Sequence, residues 1–354
     1  MKILSLFDGM SCGQQALERA GIKVDKYFAS EIDKHAIKVT QHNYPNTIQL
    51  GSVTDVDTSK LPPIDLLCGG SPCTNFSFAG KMKGMVTTDN QEVTTLERYL
   101  ELKEQGYQFE GQSYLFWEYV RILQEVKPKW FLLENVPMTE NWRKILSVTL
   151  GVNEIRINSN LVSAQNRERW YWTNIGMQSA GLFGDMVSII QQPKDKGILL
   201  KDILQPLKEV DSKYFLSEKM ISYLLGAKRA VDPVTEDTKK YNTLTSVYYK
   251  TPTDGQYLKK VSQINPSTES GGKQPYQQNR VYDSEGISPA LCSNKSDLLV
   301  LQSTIRKLTP IECERLQTVS DNYTSGVSDS QRYKMLGNGW TIDVIAHIFS
   351  YLLK

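Results

Sequence analysis

The residues in this chain best suited to chemistry stand just past short apolar runs. Ser5-Leu6-Phe7 leads into Asp8-Gly9, Phe28-Ala29-Ser30 into Glu31, Leu66-Leu67-Cys68 into Gly69-Gly70-Ser71-Pro72-Cys73, and Trp130-Phe131-Leu132-Leu133 into Glu134-Asn135. A cysteine on a loop after a strand is a nucleophile once deprotonated, and a free thiol titrates at roughly 8.5; the competing reading of Cys73 is a half-buried structural thiol. Cys68, inside the apolar run, reads as core. An acid emerging from an apolar strand is expensive to bury, because desolvation favours its neutral form. A carboxyl group at Glu134 can therefore hydrogen-bond a base edge and donate a proton; the plainer reading is an acid paired with an arginine or capping the next helix. In Gln165-Asn166-Arg167-Glu168-Arg169, two arginines at alternate positions of a strand face the same way and can hold an anion, unless the strand is a solvated edge.

Gly9 and Gly13 flank a first strand–helix turn, where glycine lets a ligand approach the backbone and free amides open the helix. An acid at the end of the second strand, about twenty residues on, suits a ribose diol, and that acid is Glu31. Because Asp8-Gly9-Met10-Ser11-Cys12-Gly13 is not Gly-x-Gly-x-x-Gly, a pyrophosphate loop is disfavoured and a nucleoside cofactor without phosphates fits, such as S-adenosylmethionine. A plain tight turn with a solvated Glu31 is the alternative. Gly337-Asn338-Gly339-Trp340 reads in isolation as a turn before a helix.

Positioning these groups requires a particular scaffold. The pattern predicts strands at Ile3–Phe7, Tyr27–Ser30, Ile48–Leu50, Asp65–Cys68 and Trp130–Leu133. Helices are expected at Gln14–Ala20, from about Lys34, near Leu115–Val126 and at Trp142–Leu150. Such alternation argues an α/β fold, a doubly wound, mostly parallel sheet with helices on both faces. All four polar signals then share the carboxyl edge, where such sheets bind ligands. Residues 1–176 plus about 330–354 are expected to form this catalytic, cofactor-binding domain. About 177–329, rich in Ser, Gln, Gly, Asn and Pro, reads as a second, smaller, loop-rich domain, and its 305–320 block bridges the two. Leu308–Gln317 reads as a helix opened by Thr309-Pro310 with Glu312 in its first turn. Trp340–Leu353 reads as an apolar helix returning to the first domain.

Composition sets the outer limits. The 354 residues carry 41 Lys+Arg against 39 Asp+Glu, a net charge of +2, so any basic surface must be local. A hydrophobic share of 40% with 23% charged residues is globular rather than disordered. No apolar run approaches the roughly 20 residues of a membrane span. The start meets Asp8 at once, which disfavours a secretory signal and points to the cytoplasm. Five cysteines without a Cys-x-x-Cys, and only three histidines, argue against a disulfide framework, a zinc site or a histidine-based triad.

Taken together and in order, Ser5-Leu6-Phe7-Asp8-Gly9, Glu31, Ser71-Pro72-Cys73, Glu134-Asn135-Val136, Gln165-x-Arg167-x-Arg169, the Leu308–Gln317 block and Gly337-Asn338-Gly339 resemble the cytosine-carbon-5 DNA methyltransferase family. The resemblance covers roughly residues 1–176 and 305–354 and skips the middle, which in that family is the variable target-recognition domain. The opening motif, Glu110-Gly111 before Leu115–Glu118, and Trp340 are similar to the branch of animal de novo enzymes; the intact recognition segment is similar to bacterial or phage enzymes. The resemblance implies a Rossmann-like, S-adenosylmethionine-dependent methyltransferase in which Cys73 is the nucleophile and Glu134 the acid on the base. Arg167 then fixes the base and neighbouring phosphate, supported by Gln165 and Arg169. It implies cofactor contacts from Phe7, Asp8, Gly9, Gly13, Glu31, Ile32, Gly70, Pro72, Asn338, Gly339 and Trp340. The stretch Ser77–Gly84, with Lys81 and Lys83, matches the family's mobile loop that closes over the base and touches the DNA. It also implies double-stranded DNA as partner, base flipping, a monomer working in a bacterial cytoplasm, and a restriction endonuclease as a functional companion. One departure is Gly51-Ser52 where the family commonly has Gly-Asp to meet the adenine, with Asp55 as a replacement; another is a long acidic stretch between Met85 and Glu110. A branch of the family acts on tRNA, and a catalytically dead DNA-binding relative is the third alternative.

Overall fold

A computed structural model describes residues 1–72, 85–180, 185–217, 240, 258–259 and 305–353. Cys73, the Ser77–Gly84 stretch with Lys81 and Lys83, Cys292 and most of the expected recognition segment lie outside the described residues.

A seven-stranded sheet carries the molecule, in the order β3-β2-β1-β4-β5-β7-β6. Its strands are β1 (Lys2–Leu6), β2 (Lys26–Ser30), β3 (Ile48–Gln49), β4 (Leu66–Gly70), β5 (Trp130–Asn135), β6 (Ile155–Asn158) and β7 (Glu168–Thr173). The first five pair in parallel, as the apolar runs predicted, while β7 runs antiparallel to both β5 and β6. The arginine-bearing strand is therefore interior to the sheet and not a solvated edge. Strand order reverses between β1 and β4, so their carboxyl ends open the crevice that doubly wound sheets use for ligands.

Period-two alternation divides the strands between two cores. Ile3, Leu66, Cys68 and Leu132 face one side, and Leu4, Leu6, Leu67, Phe131 and Leu133 the other. The first side is covered by α1 (Cys12–Arg19) and by the returning C-terminal helices; the second by α4 (Phe116–Val126) and α5 (Glu140–Leu150). Between β2 and β3, α2 (Lys34–Asn43) starts where Asp33 accepts from the amides of His35 and Ala36, at 2.9 and 3.4 Å.

The acidic stretch after Met85 is not a bare loop. It folds into α3 (Leu96–Glu104), capped by Thr95, whose hydroxyl accepts from the Arg98 amide at 3.2 Å. Leu96, Tyr99 and Leu102 recur on one buried stripe, while Glu97, Glu101 and Glu104 face solvent. The helix is locked to α4 by the wholly buried Glu118, which accepts from Tyr99 (2.6 Å), Lys103 (2.5 Å) and Arg121 (2.7 Å). These donors hold its carboxyl below the ordinary range against the opposing effect of burial.

Past β7, an antiparallel pair of strands, β8 (Met177–Ala180) and β9 (Asp185–Ser188), precedes the short α6 (Leu200–Ile203). Ile198, Leu200 and Ile203 pack into the core beside β1, together with Leu308, Cys313 and Leu316. The expected helix after Leu308 is α7 (Pro310–Leu316), with Thr309 and Glu312 forming a reciprocal capping box. Buried Arg306 holds Glu312 with two 2.8 Å contacts. Next come α8 (Asp329–Asn338) and α9 (Ile342–Phe349); the latter is shorter than the predicted Trp340–Leu353 helix and ends in a 3-10 turn at Ser350–Leu353. Ile342, Val344, Ile345, Ile348 and Phe349 of α9 are all wholly buried, and Asp343 pairs with Arg19 of α1. Among the described residues no helix is long and apolar enough to cross a membrane.

Candidate active site at the carboxyl edge of the sheet

The β1–α1 turn is bent by three left-handed residues. Phe7, Gly9 and Ser11 have φ of 56°, 58° and 58°. For a bulky phenylalanine this conformation costs of order 1–3 kcal/mol and persists only where surroundings enforce it, typically at functional sites. The Asp8 amide donates to Ser30 O (3.1 Å) and the Gly9 amide to Glu31 Oε2 (2.7 Å), so the ends of β1 and β2 are stitched together. The other Glu31 oxygen accepts from the amides of Ile32 and Asp33, both at 2.8 Å.

Asp8, expected to touch a cofactor, turns inward instead. Its carboxyl accepts from Tyr27 (2.8 Å) and from Ser11, and only 8% of the residue is exposed. Burial pushes this acid up to about 6, against the opposing effect of the hydroxyls around it. The Asp8 side chain therefore shapes the turn.

What remains open along this edge fits a nucleoside. Nothing lies within 4 Å of where a side chain would start at Gly9 or Gly51. Ile32 is 71% exposed on the rim, an apolar face in want of cover. Glu31 supplies a carboxylate, and at Gly13 and Gly70 a β-carbon would come within 2.6 Å of Tyr27 Oη and 2.9 Å of Glu134 Oε2. An adenosyl group finds here a carboxylate for its diol, an apolar rim for its base and bare backbone for close approach. Ser52 caps the following turn through the Thr54 amide (3.3 Å), and Asp55 is exposed, accepting from the Thr54 hydroxyl at 3.0 Å.

Glu134 lies in register with Gly70 across β4 and β5. It is nine-tenths buried; Oε1 is 3.1 Å from Arg169 Nε, and Oε2 accepts from the Trp340 indole at 3.2 Å. The next residue, Asn135, donates to both the carbonyl (3.3 Å) and hydroxyl (3.0 Å) oxygens of Ser71, fixing the chain just before Pro72. Cys73 itself, one peptide further, is outside the described residues. The three described cysteines are buried, and burial raises each thiol, to about 12 at Cys12 and Cys68. None of them is a thiolate near neutrality.

The two arginines reach different partners. Arg167 is 3% exposed and donates through Nη2 to the carbonyls of Gly337 (3.2 Å) and Gly339 (3.0 Å), so it clamps the C-terminal turn. Arg169 is the arginine beside the acid. Gln165 is fully buried, and neither its Oε1 nor its Nε2 has a hydrogen-bond partner, a costly state. The Gly337-Asn338-Gly339 signal ends α8 and caps it, and α9 begins three residues later, so the segment does lie ahead of a helix; Asn338 is exposed, while Trp340 is partly buried. Sequence reasoning left Asn135, Tyr27 and the Trp340–Glu134 contact without a role. Only the Glu-Asn-Val pattern offered a signal for the first.

A doubly wound sheet with one antiparallel strand set beside β5, helices on both faces and this crevice at its carboxyl edge is a Rossmann-like methyltransferase fold. The chain belongs to the C-5 cytosine-specific DNA methylase family, whose sequence model matches residues 1–354. It is accordingly a methyltransferase of the C-5 cytosine family, which depends on S-adenosylmethionine. The orphan methyltransferase M.SPRI of Bacillus phage SPR is 26% identical over 100% of this chain and 97% of its own length. Type II methyltransferase M1.ScrFI of Lactococcus lactis subsp. cremoris is 28% identical over 100% of this chain and 78% of its own. Among solved structures, the Entamoeba histolytica methyltransferase EhMeth superposes with TM-score 0.65 at 17% identity, covering 100% of this chain and 98% of its own. The S. pombe Dnmt2 methyltransferase gives 0.60 at 20% with the same coverage. These two likenesses concern the fold.

Proposed function

We propose that the protein methylates carbon 5 of cytosine in double-stranded DNA through a transient bond from Cys73 to a base turned out of the helix. The observation that carries this reading is the meeting of Glu134 and Arg169 directly beside Gly70, two residues before Pro72. Cys73 follows Gly70 by three residues in the sequence, and a stretch of that length spans at most about 11 Å, which keeps the thiol within reach of the acid in this reading. The Cys73 thiolate adds to carbon 6 of the ring while Glu134 delivers a proton to N3. Carbon 5, now enamine-like, forms its new bond to the methyl carbon as the methyl–sulfur bond breaks and a neutral thioether leaves; loss of the hydrogen on carbon 5 to water, expulsion of the Cys73 thiolate and return of the N3 proton to Glu134 restore the ring. When bound, S-adenosylmethionine supplies that methyl group on a sulfonium. Phe7, Gly9, Gly13, Glu31, Ile32, Gly70, Pro72, Asn338, Gly339 and Trp340 are the residues proposed to hold it.

Arg169 holds the acid in place, and Gln165 offers its unpartnered amide to the base or its phosphate. Extruding the cytosine costs a few kcal/mol, because carbon 6 is inaccessible within the stack. We place target recognition in about 177–329, mostly outside the described residues. A recognition segment of over a hundred residues favours DNA over tRNA, as do the type II and orphan methyltransferase names of the relatives. A soluble enzyme acting alone in a bacterial cytoplasm, accompanied in function by a restriction endonuclease, completes the proposal.

Incubation with labelled cofactor and either duplex DNA or tRNA tests the substrate, and label in tRNA alone overturns it. Cys73→Ser should bind cofactor normally, transfer no methyl group and form no covalent trap with 5-fluorocytosine DNA. An adduct with the serine variant means that Cys73 is the wrong nucleophile.

A further inference from the structure

Trp340 links parts of the site that are far apart in sequence. Its ring passes Gly13 at the start of α1, where a β-carbon would stand 3.7 Å from Cζ3, and reaches Gly70 at the end of β4, where a β-carbon would stand 3.0 Å from Nε1. From there the indole N–H donates to Glu134 Oε2 at 3.2 Å, while Arg169 Nε lies 3.1 Å from the other oxygen. Gly70 is what permits this: any side chain there would wedge between indole and carboxyl group. Trp340 is held from behind, since Arg167 grips the carbonyls of Gly337 and Gly339, and Gly339 is packed too closely against Met10 and Met335 for a β-carbon to fit.

A carboxyl group at a strand end has free rotation about its terminal bonds. Donors on both oxygens remove that freedom and fix the plane in which the acid meets a base. We propose that Trp340 is a positioning residue for Glu134, acting through its indole N–H, in addition to any contact its ring makes with the cofactor. This rests on the reading of Glu134 as the acid at the cytosine ring.

The effect belongs in kcat and not in cofactor binding. Trp340→Phe keeps an aromatic ring and removes the donor. It should lower kcat for DNA methylation about tenfold, which is about 1.4 kcal/mol of barrier, and leave the calorimetric Kd for S-adenosylmethionine within twofold. Should the phenylalanine variant prove unstable, 3-benzothienylalanine at the same position exchanges N–H for sulfur at unchanged shape, and the same tenfold loss is expected. An unchanged kcat in either folded variant, or a loss of cofactor affinity as large as the loss of kcat, overturns the inference alone. A wild-type enzyme that labels no cytosine overturns the underlying reading, and this inference with it.

Discussion

Replacing Asp8 by asparagine should make the protein more stable in alkali and no more stable in acid. The ordinary value of this carboxyl is 3.8, and burial lifts it to about 6 in the folded chain. The native state therefore binds the proton more tightly than the unfolded chain does. The stability that this confers is present in full below about pH 4 and is lost as pH rises through about 6, beyond which the buried charge is a standing cost. A shift of about 2 units is ~3 kcal/mol at 1.36 kcal/mol per unit. Asparagine keeps the shape and an acceptor for Tyr27, but the Ser11 hydroxyl must turn from donor to acceptor, which costs ~1 kcal/mol. The net expectation is a gain of ~2 kcal/mol at pH 8 that vanishes near pH 4.5. Urea denaturation of wild type and Asp8→Asn across pH 4.5 to 8 measures it as the difference between the two curves, so that other titrations cancel. A gain equal at both ends of the range, or none at pH 8, refutes the assignment of a buried, proton-binding Asp8.

Two further substitutions probe the scaffold. Arg167→Lys keeps the charge and loses the planar fork that reaches the carbonyls of Gly337 and Gly339; unfolding stability should fall by ~2 kcal/mol or more, with a parallel loss of kcat as Trp340 loosens, whereas an undisturbed variant argues that the clamp is idle. Thr309→Val removes the cap on the Glu312 amide (3.2 Å) and the contact to Gln205, so the urea midpoint should drop by the equivalent of ~1–2 kcal/mol while the KM for DNA stays unchanged.

Much of the site was legible because its residues obey local rules. The five parallel strands announced themselves as apolar runs, and the acids and glycines after them could only gather at one edge once the sheet was doubly wound. The Thr309-Pro310-x-Glu312 cap was readable as a helix start from four letters. Other features depended on partners that no local pattern names. Arg167 and Arg169, two residues apart, were expected to act on the same ligand, but Arg167 also reaches carbonyls some 170 residues away, a contact that no local pattern names. Asp8 looked like a crevice residue until Tyr27 and Ser11 were seen to draw it inward. α8 went unseen because Asp329–Asn338 has few apolar residues, of which Tyr333, Met335 and Leu336 are buried against segments brought in by tertiary packing.

The placement of α9 against α1 bears on biosynthesis. A ribosome that has finished the first 300 codons has released β1 to β7, yet one flank of the sheet still lacks the five buried side chains of Ile342–Phe349 and the Arg19–Asp343 pair. The indole that reaches Glu134 emerges two residues ahead of that helix. A chain that ends anywhere upstream of Trp340 therefore lacks the buried face of α9 and the indole on Glu134, leaving an unfinished core and a carboxyl group with one donor fewer.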